Sequence, residues 1–114
     1  MVEVTDAEFE QMVAAGIDSL PTELARVMRN VAVVVELEGG PDGLLGLYEG
    51  IPLTERTPDY AGHLPDRITI YRDAICSYAT TKDEVVAEVR RTVIHEIAHH
   101  FGIGDARLHE LGWG

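Results

Sequence analysis

The sequence predicts an α+β fold in which a small mixed sheet, of about three to four strands, packs against one long helix and two N-terminal helices. Patterns that start helices occur at Thr5 and Thr81, and the segments between them are short, apolar and rich in β-branched residues. Because the strands are grouped together between helical segments and do not alternate with helices, the sequence favours an α+β fold. The chain has 114 residues, the length of one domain, which we expect to span residues 1–114.

Two short helices are expected at the N-terminus. The segment Thr5–Glu8 is a capping box, in which a threonine oxygen and a glutamate satisfy free backbone N–H groups. The helix that it starts should end near Gly16, because glycine is common at helix ends. Pro21 suits the first turn of a second helix. The apolar residues of the two helices are Phe9, Met12, Val13, Leu24, Val27 and Met28.

Three strands are predicted in the middle of the chain. Val31 to Leu37 has mainly β-branched residues and is predicted to be a mostly buried strand, and Leu44 to Tyr48 is predicted to be a short one. Arg67 to Tyr71 alternates between polar and apolar residues, as a half-buried strand does. Glycines predict a turn over Gly39–Gly43. The stretch from Gly50 to Asp66 has three prolines and no periodicity, so we expect a functional loop.

The second capping box, Thr81–Glu84, starts the long helix. Steps of about 100° per residue give it one broad apolar face, which should pack on the sheet. That face consists of Val85, Val86, Val89, Val93, Ile94, Ile97 and Phe101. The opposite side carries His95 and His99 together with Glu88 and Thr92, which would place the two histidines in a cleft.

The segment from His95 to His99 reads His-Glu-Ile-Ala-His and is followed by Gly102 and Asp105. Two histidines four residues apart on a helix lie on the same side, one turn apart, so both rings can reach one ion. Neutral imidazole is a common zinc ligand, and a catalytic zinc ion has three protein ligands and one open position. The pattern therefore predicts a single Zn²⁺ ion bound by His95 and His99.

Glu96 projects about 100° away from the histidines and is predicted to act on a water molecule rather than bind the metal. A zinc ion lowers the pKa of bound water to about 7, and Glu96 would accept the proton as the water attacks a carbonyl. Gly102 permits a sharp turn after the helix, which would bring Asp105 back as the third ligand. His109 is the alternative third ligand. Asp105 is also a candidate N-cap for a last helix, Ala106 to Leu111.

The charge and composition exclude several function classes. The formal net charge is −11, and a chain this acidic repels the phosphates of nucleic acids. No run of apolar residues is long enough to span a membrane. The first residues lack the pattern of a secretory signal, and Cys76 is the single cysteine, so we expect a cytoplasmic protein without an internal disulfide.

With these motifs the chain resembles the zincin metallopeptidases, in particular their small single-domain bacterial members. The resemblance extends over Leu47–Leu53, Leu64–Tyr71 and Glu88–Ile103. It implies that His95, His99 and Asp105 are zinc ligands, with an aspartate in place of the third histidine of the longer metzincin motif, and that Glu96 is the general base. It also implies that an extended peptide pairs with an edge strand beside the helix, for which Leu44 to Tyr48 is the candidate.

The sequence departs from the family pattern in two respects. All three methionines precede the motif, so none can form the methionine turn that follows it in metzincins. An oxyanion-binding side chain is not identified, with Tyr48, Tyr60 and His109 as candidates. The expected function is zinc-dependent hydrolysis of peptide bonds in peptides or unfolded proteins. The alternative is a zinc-stabilised module that binds a peptide or protein with weak or no turnover.

Overall fold

The computed structural model describes residues 2–38, 43–50 and 66–113. Eight helices and strands follow one another in this part of the chain, and their order confirms the α+β class. They are α1 (Asp6–Asp18), α2 (Thr22–Met28), β1 (Val31–Glu36), β2 (Gly46–Glu49), β3 (Asp66–Tyr71), α3 (Arg72–Ser77), α4 (Lys82–His100) and α5 (Asp105–Glu110). No helix among the described residues is both long and apolar enough to cross a membrane.

The sheet is mixed and has three described strands in the order β1-β3-β2. β1 pairs with β3 in parallel, with Val33 opposite Ile68, whereas β2 pairs antiparallel, with Tyr48 opposite Ile68. The predicted burial of two strands was wrong. β3 is central, and its residues Ile68 to Ile70 are all buried, so both of its faces are covered. β1 lies at an edge of the described sheet, which leaves Val33 38% exposed.

Helix α1 begins as predicted and ends later than predicted. Both hydrogen bonds of the capping box are present, since Thr5 accepts from the N–H of Glu8 and the Glu8 carboxylate accepts from the N–H of Thr5. The helix continues through Gly16 to Asp18. A Cβ atom at position 16 would lie 2.9 Å from Cγ1 of Val89. Gly16 therefore marks the closest approach of α1 to α4 rather than a helix end.

Helix α3 was not predicted, and it follows directly on β3. Cys76 lies in this helix and is buried, and burial raises the pKa of its thiol. Arg72 at the start of α3 forms an ion pair with Asp6 of α1. Lys82 at the start of α4 forms another with Glu8. These two pairs connect the beginning of α1 to the second half of the chain.

Helix α4 forms the centre of the fold. Thr81 caps it by accepting from the N–H of Glu84, but the Glu84 carboxylate binds Thr80 instead of completing the box. The predicted apolar face is buried at five positions: Val85, Val89, Val93, Ile94 and Ile97. Of the other two residues, Val86 is partly buried, and Phe101 is 55% exposed because the helix has ended at His100. The buried face packs on α1 as well as on the sheet.

Several predictions fall outside the described residues. Most of the turn predicted over Gly39–Gly43 lies outside them, as does the loop between Gly50 and Asp66, which contains the oxyanion candidate Tyr60. Gly43 itself is described and has a φ of 70°, in the left-handed region that favours glycine.

Candidate metal centre

The His95–His99 segment lies in the last turns of α4 and borders a cavity of about 290 Å³. The other wall of the cavity consists of residues 43–46, which lead into β2. The lining side chains from α4 are Arg91, Thr92, His95, Glu96 and His99. Both histidines and the glutamate of the motif therefore face one cleft, as the 100° placement predicted.

Helix α4 approaches strand β2 closely at the floor of this cavity. A Cβ atom on Gly46 would lie 2.6 Å from the methyl carbon of Thr92 and 3.0 Å from the carbonyl oxygen of Thr69. Only glycine fits there. Thr92 is 6% exposed, and its hydroxyl has no hydrogen-bond partner in the part of the chain that the structure describes. The predicted polar helix face is therefore buried at this point.

Glu96 is held by the backbone of β2. The N–H of Tyr48 donates a hydrogen bond to Oε1 of Glu96, at 3.3 Å. Within the described ranges no hydrogen bond is made by the other carboxylate oxygen, Oε2. The carboxylate is thus anchored at one oxygen and available at the second. The sequence does not reveal this contact, because a backbone N–H leaves no signature in residue types.

Glycine ends helix α4 and directs the chain toward α5. Gly102 has a φ of 77°. Its N–H donates to the carbonyl of His99 at 3.1 Å, and the N–H of Ile103 donates to the carbonyl of Ala98 at 2.7 Å. This pair of bonds is the Schellman motif, which satisfies the last carbonyls of a helix while reversing the chain. The predicted turn at Gly102 is present.

The turn brings Asp105 beside His99. Oδ1 of Asp105 lies 3.5 Å from Nε2 of His99. Asp105 is the first residue of α5, and the N-cap position belongs to Gly104, so the predicted capping role of Asp105 was wrong. Its carboxylate is directed to the histidine instead.

The donor atoms can be compared with the geometry that zinc requires. Two ligand atoms bound at 2.0–2.2 Å in a tetrahedron lie about 3.3–3.6 Å apart. The separation of 3.5 Å between His99 and Asp105 lies in this range. The ring centroids of His95 and His99 are 6.1 Å apart. As placed, no three His, Cys, Asp or Glu side chains converge on one metal position within residues 2–38, 43–50 and 66–113.

The chemistry of the donor set nevertheless fits zinc, since two imidazoles and one carboxylate are typical ligands of a catalytic site. The side chains of His99 and Asp105 are 56% and 75% exposed, so little packing opposes their rotation. His109, the alternative third ligand, is exposed on α5, and among the described residues no ring contact or ion pair joins it to His95 or His99.

The neighbouring aromatic residues lie outside the donor set. The ring of His100 packs on Tyr48, with 4.2 Å between centroids. The Tyr48 hydroxyl donates to Oδ2 of Asp66 at 2.9 Å. Burial and this hydrogen bond raise the pKa of the Tyr48 phenol well above its usual value. The phenol is therefore neutral, and its proton is already engaged by Asp66 rather than free to bind an oxyanion.

Comparison with known proteins agrees with the expected fold and family. The family model of zincin-like metallopeptidases matches residues 26–113, so the chain belongs to this family. A solved structure of a conserved hypothetical protein from Thermus thermophilus is similar, with a TM-score of 0.57 and 26% sequence identity. The similarity covers 86% of this chain and 94% of that one. No curated protein matches the chain significantly.

Proposed function

We propose that this protein is a zinc-dependent peptidase in which Glu96 is the general base. The observation that carries the proposal is the common cavity of His95, Glu96 and His99, with Asp105 returned to within 3.5 Å of His99. Membership of the zincin-like metallopeptidase family supports the same reaction class. The proposed site holds one Zn²⁺ ion, three protein ligands and one catalytic carboxylate.

His95, His99 and Asp105 would hold the ion, through two imidazole nitrogens and one carboxylate oxygen. When bound, zinc supplies Lewis acidity, which lowers the pKa of a coordinated water to about 7 and polarises a carbonyl group. Asp105 also supplies a negative charge next to His99, which favours a cation at that position.

Glu96 would accept the proton of the attacking water at Oε2. Its Oε1 remains bonded to the N–H of Tyr48, so the carboxylate keeps its direction while the other oxygen takes and releases the proton. After the carbonyl carbon has been attacked, the same oxygen can deliver the proton to the leaving amine. Both proton transfers require a carboxylate that is fixed in position. The hydrogen bond from the N–H of Tyr48 in β2 would keep Glu96 in place.

The proposed substrate is an extended peptide or an unfolded protein segment. The cavity is open and lies beside β2, whose pairing within the described part of the chain is with β3 alone. A peptide placed along β2 would pass Glu96 and both histidines. A folded protein would present few segments that fit between a strand and a helix, so we expect cleavage of flexible chains in the cytoplasm.

The test compares zinc-loaded wild type with the Glu96→Gln variant on a mixed peptide library read by mass spectrometry. Glutamine can still accept from the N–H of Tyr48, so the fold should persist while the base is lost. Glu88→Gln is the matched control, because this glutamate lies on the same helix and pairs with Arg91 outside the motif. We expect cleavage by wild type and the control, and none by Glu96→Gln at equal zinc content.

The second candidate is a zinc-stabilised interaction module with weak or no turnover. The hydrogen bond between Glu96 and Tyr48 favours it, since this bond also gives the glutamate a structural role between strand and helix. If wild type binds one zinc ion and cleaves no peptide, the module is correct and the peptidase is not. If wild type binds no zinc at all, both functions are wrong.

A further inference from the structure

Strand β1 forms the edge of the described sheet farther from the metal centre, and its sequence lacks the features that normally protect an edge. Its six residues are Val31–Glu36, with no proline or glycine and a charge only at the last position. Edge strands commonly carry charges, prolines or bulges that prevent pairing with other chains. Here Val33, Val35 and Leu37 are 38%, 37% and 56% exposed. The edge is therefore apolar and suited to pairing.

A groove runs between this edge and helix α1. One cavity of about 380 Å³ is lined by Glu10, Val13, Ala14 and Ile17 of α1 and by Val33 and Val35 of β1. A second cavity of about 240 Å³ is lined by Asp6, Phe9, Glu10, Val35, Leu37 and Arg72. The two share Glu10 and Val35, so they form one groove along both elements, which we call the β1 groove.

The register of the sheet shows which face of β1 borders the groove. Val33 pairs with Ile68, and Tyr48 pairs with Ile68 from the other side, so these side chains lie on one face of the sheet. Gly46 belongs to that face and approaches Thr92, which makes it the face that covers the helices. A fourth strand beside β1 would therefore direct alternate side chains onto the apolar residues of α1.

The charge of the groove selects its occupant. Asp6 and Arg72 neutralise each other through their ion pair. Glu10, which lines both cavities, has no ion pair in the part of the chain that the structure describes. The whole chain carries a formal charge of −11. A second copy of the chain would bring a second charge of this size, whereas a basic segment would be attracted.

We propose that the β1 groove binds an extended, basic segment of a partner protein, which adds to the sheet as a fourth strand beside β1. Main-chain hydrogen bonds to the edge, which among the described residues pairs with β3 alone, supply affinity, as in other proteins that bind peptides by strand addition. Valine-sized side chains at alternate positions enter the groove above Val13 and Ile17. A lysine or arginine at one of these groove-facing positions pairs with Glu10. This function is independent of the metal centre, because β3 separates β1 from β2.

The test uses a fluorescent ten-residue peptide in which one set of alternate positions carries valine and lysine and the other set carries threonine, and a control peptide with glutamate in place of every lysine. Fluorescence anisotropy with metal-free protein should show saturable binding of the lysine peptide. The glutamate peptide should bind at least about tenfold more weakly. A third peptide with N-methyl groups on alternate amides should lose binding, because strand addition requires those N–H groups.

Variants locate the binding site. Val35→Lys should weaken binding by about tenfold or more, since it places a charge on the apolar wall and repels the basic peptide. Val35→Thr keeps the shape and strand propensity and should weaken binding by less, which guards against a folding defect in the lysine variant. Glu10→Gln should weaken it about two- to fivefold, the range of an exposed ion pair. Glu96→Gln is the control and should bind as wild type.

Three results would overturn the proposal. The first is equal binding of the lysine and glutamate peptides, or of neither. The second is binding that neither substitution at Val35 changes, which would place the peptide elsewhere on the protein. The third is a wild-type dimer in analytical ultracentrifugation that Val35→Lys dissociates, which would assign the groove to a second copy of this chain. None of these results depends on peptidase activity, so the failure of either proposal can be distinguished from failure of the other.

Discussion

Nε2 of His99 and Oδ1 of Asp105 lie 3.5 Å apart across the turn that ends helix α4. This separation equals the distance between two ligand atoms on one tetrahedral zinc ion, about 3.3–3.6 Å. It results from the backbone, because the Schellman motif at Gly102 reverses the chain and α5 begins at Asp105. Substitutions in this turn and in the cavity beside it should therefore affect zinc affinity and stability in separable ways.

Asp105→Ala should lower zinc affinity by at least about tenfold, which corresponds to about 1.4 kcal/mol. The variant removes one of three proposed donors and leaves both histidines in place. Competition with a chromophoric chelator measures the change. His109→Ala is the matched control on the same helix and should leave affinity unchanged. If the histidine variant loses affinity and the aspartate variant does not, His109 is the third ligand.

Gly102→Ala should reduce the free energy of unfolding by about 1 kcal/mol, because an L side chain is strained at a φ of 77°. Among the described residues no atom lies within 4 Å of a Cβ at this position, so the cost comes from the backbone alone. Gly104→Ser is the control, since Gly104 has open space and a φ of −82°, and serine suits its N-cap position. It should change stability by less than about 0.5 kcal/mol in urea unfolding. Equal effects of the two substitutions would contradict the Schellman turn.

Thr92→Val should raise the free energy of unfolding by about 1 kcal/mol, because valine has the same shape and lacks the buried hydroxyl, which is unpaired among the described residues. Thr92→Ser retains the hydroxyl and loses the methyl group near Gly46, so it should lower stability by about 1 kcal/mol. Urea unfolding of the metal-free proteins measures both. A loss of stability in the valine variant would mean that the hydroxyl has a partner in the folded protein.

The ion pair between Glu8 and Lys82 should make stability depend on pH in acid. The hydrogen bond from Lys82, with those from Thr5, lowers the pKa of Glu8 from 4.5 to about 2. A carboxylate whose pKa is lower in the folded state stabilises it above the unfolded pKa, and this contribution is lost as pH falls through the folded value. Wild type should therefore exceed Glu8→Gln in melting temperature at pH 6, and the difference should shrink between the two pKa values of about 4.5 and 2.

The control for this pH dependence is Glu10→Gln. Glu10 lies on the same helix and has no ion pair among the described residues. Its substitution should give a difference from wild type that stays nearly constant over the same pH range. A constant difference for Glu8→Gln as well would show that the pair with Lys82 does not form in solution.

Local signals predicted the parts of the fold that local interactions determine. The capping bond at Thr5, the long helix from Lys82 and the turn at Gly102 each depend on neighbouring residues, and all three are present. The same holds for the common side of His95 and His99, which follows from helical spacing alone. In these places the identity of a few adjacent residues is enough to predict the local structure.

Predictions failed where residues distant in sequence decide the outcome. Gly16 resembles a helix end, but its role is contact with Val89, 73 positions away along the chain. The valines of β1 indicate burial, yet the strand order places them at an edge. The anchoring of Glu96 by Tyr48 involves a backbone group, which no residue pattern reveals. Convergence of the metal ligands likewise depends on rotamers of exposed side chains, which spacing does not fix.

Gly46 lies outside the five residues of the motif but influences the geometry of the cavity. The absent side chain lets β2 approach α4 until the amide of Tyr48 reaches Glu96. A larger residue at position 46 would push strand and helix apart and release the carboxylate from its anchor. Related sequences that keep the two histidines and the glutamate but replace this glycine should therefore differ in how firmly the base is oriented. Position 46 should therefore be compared together with the motif in such sequences.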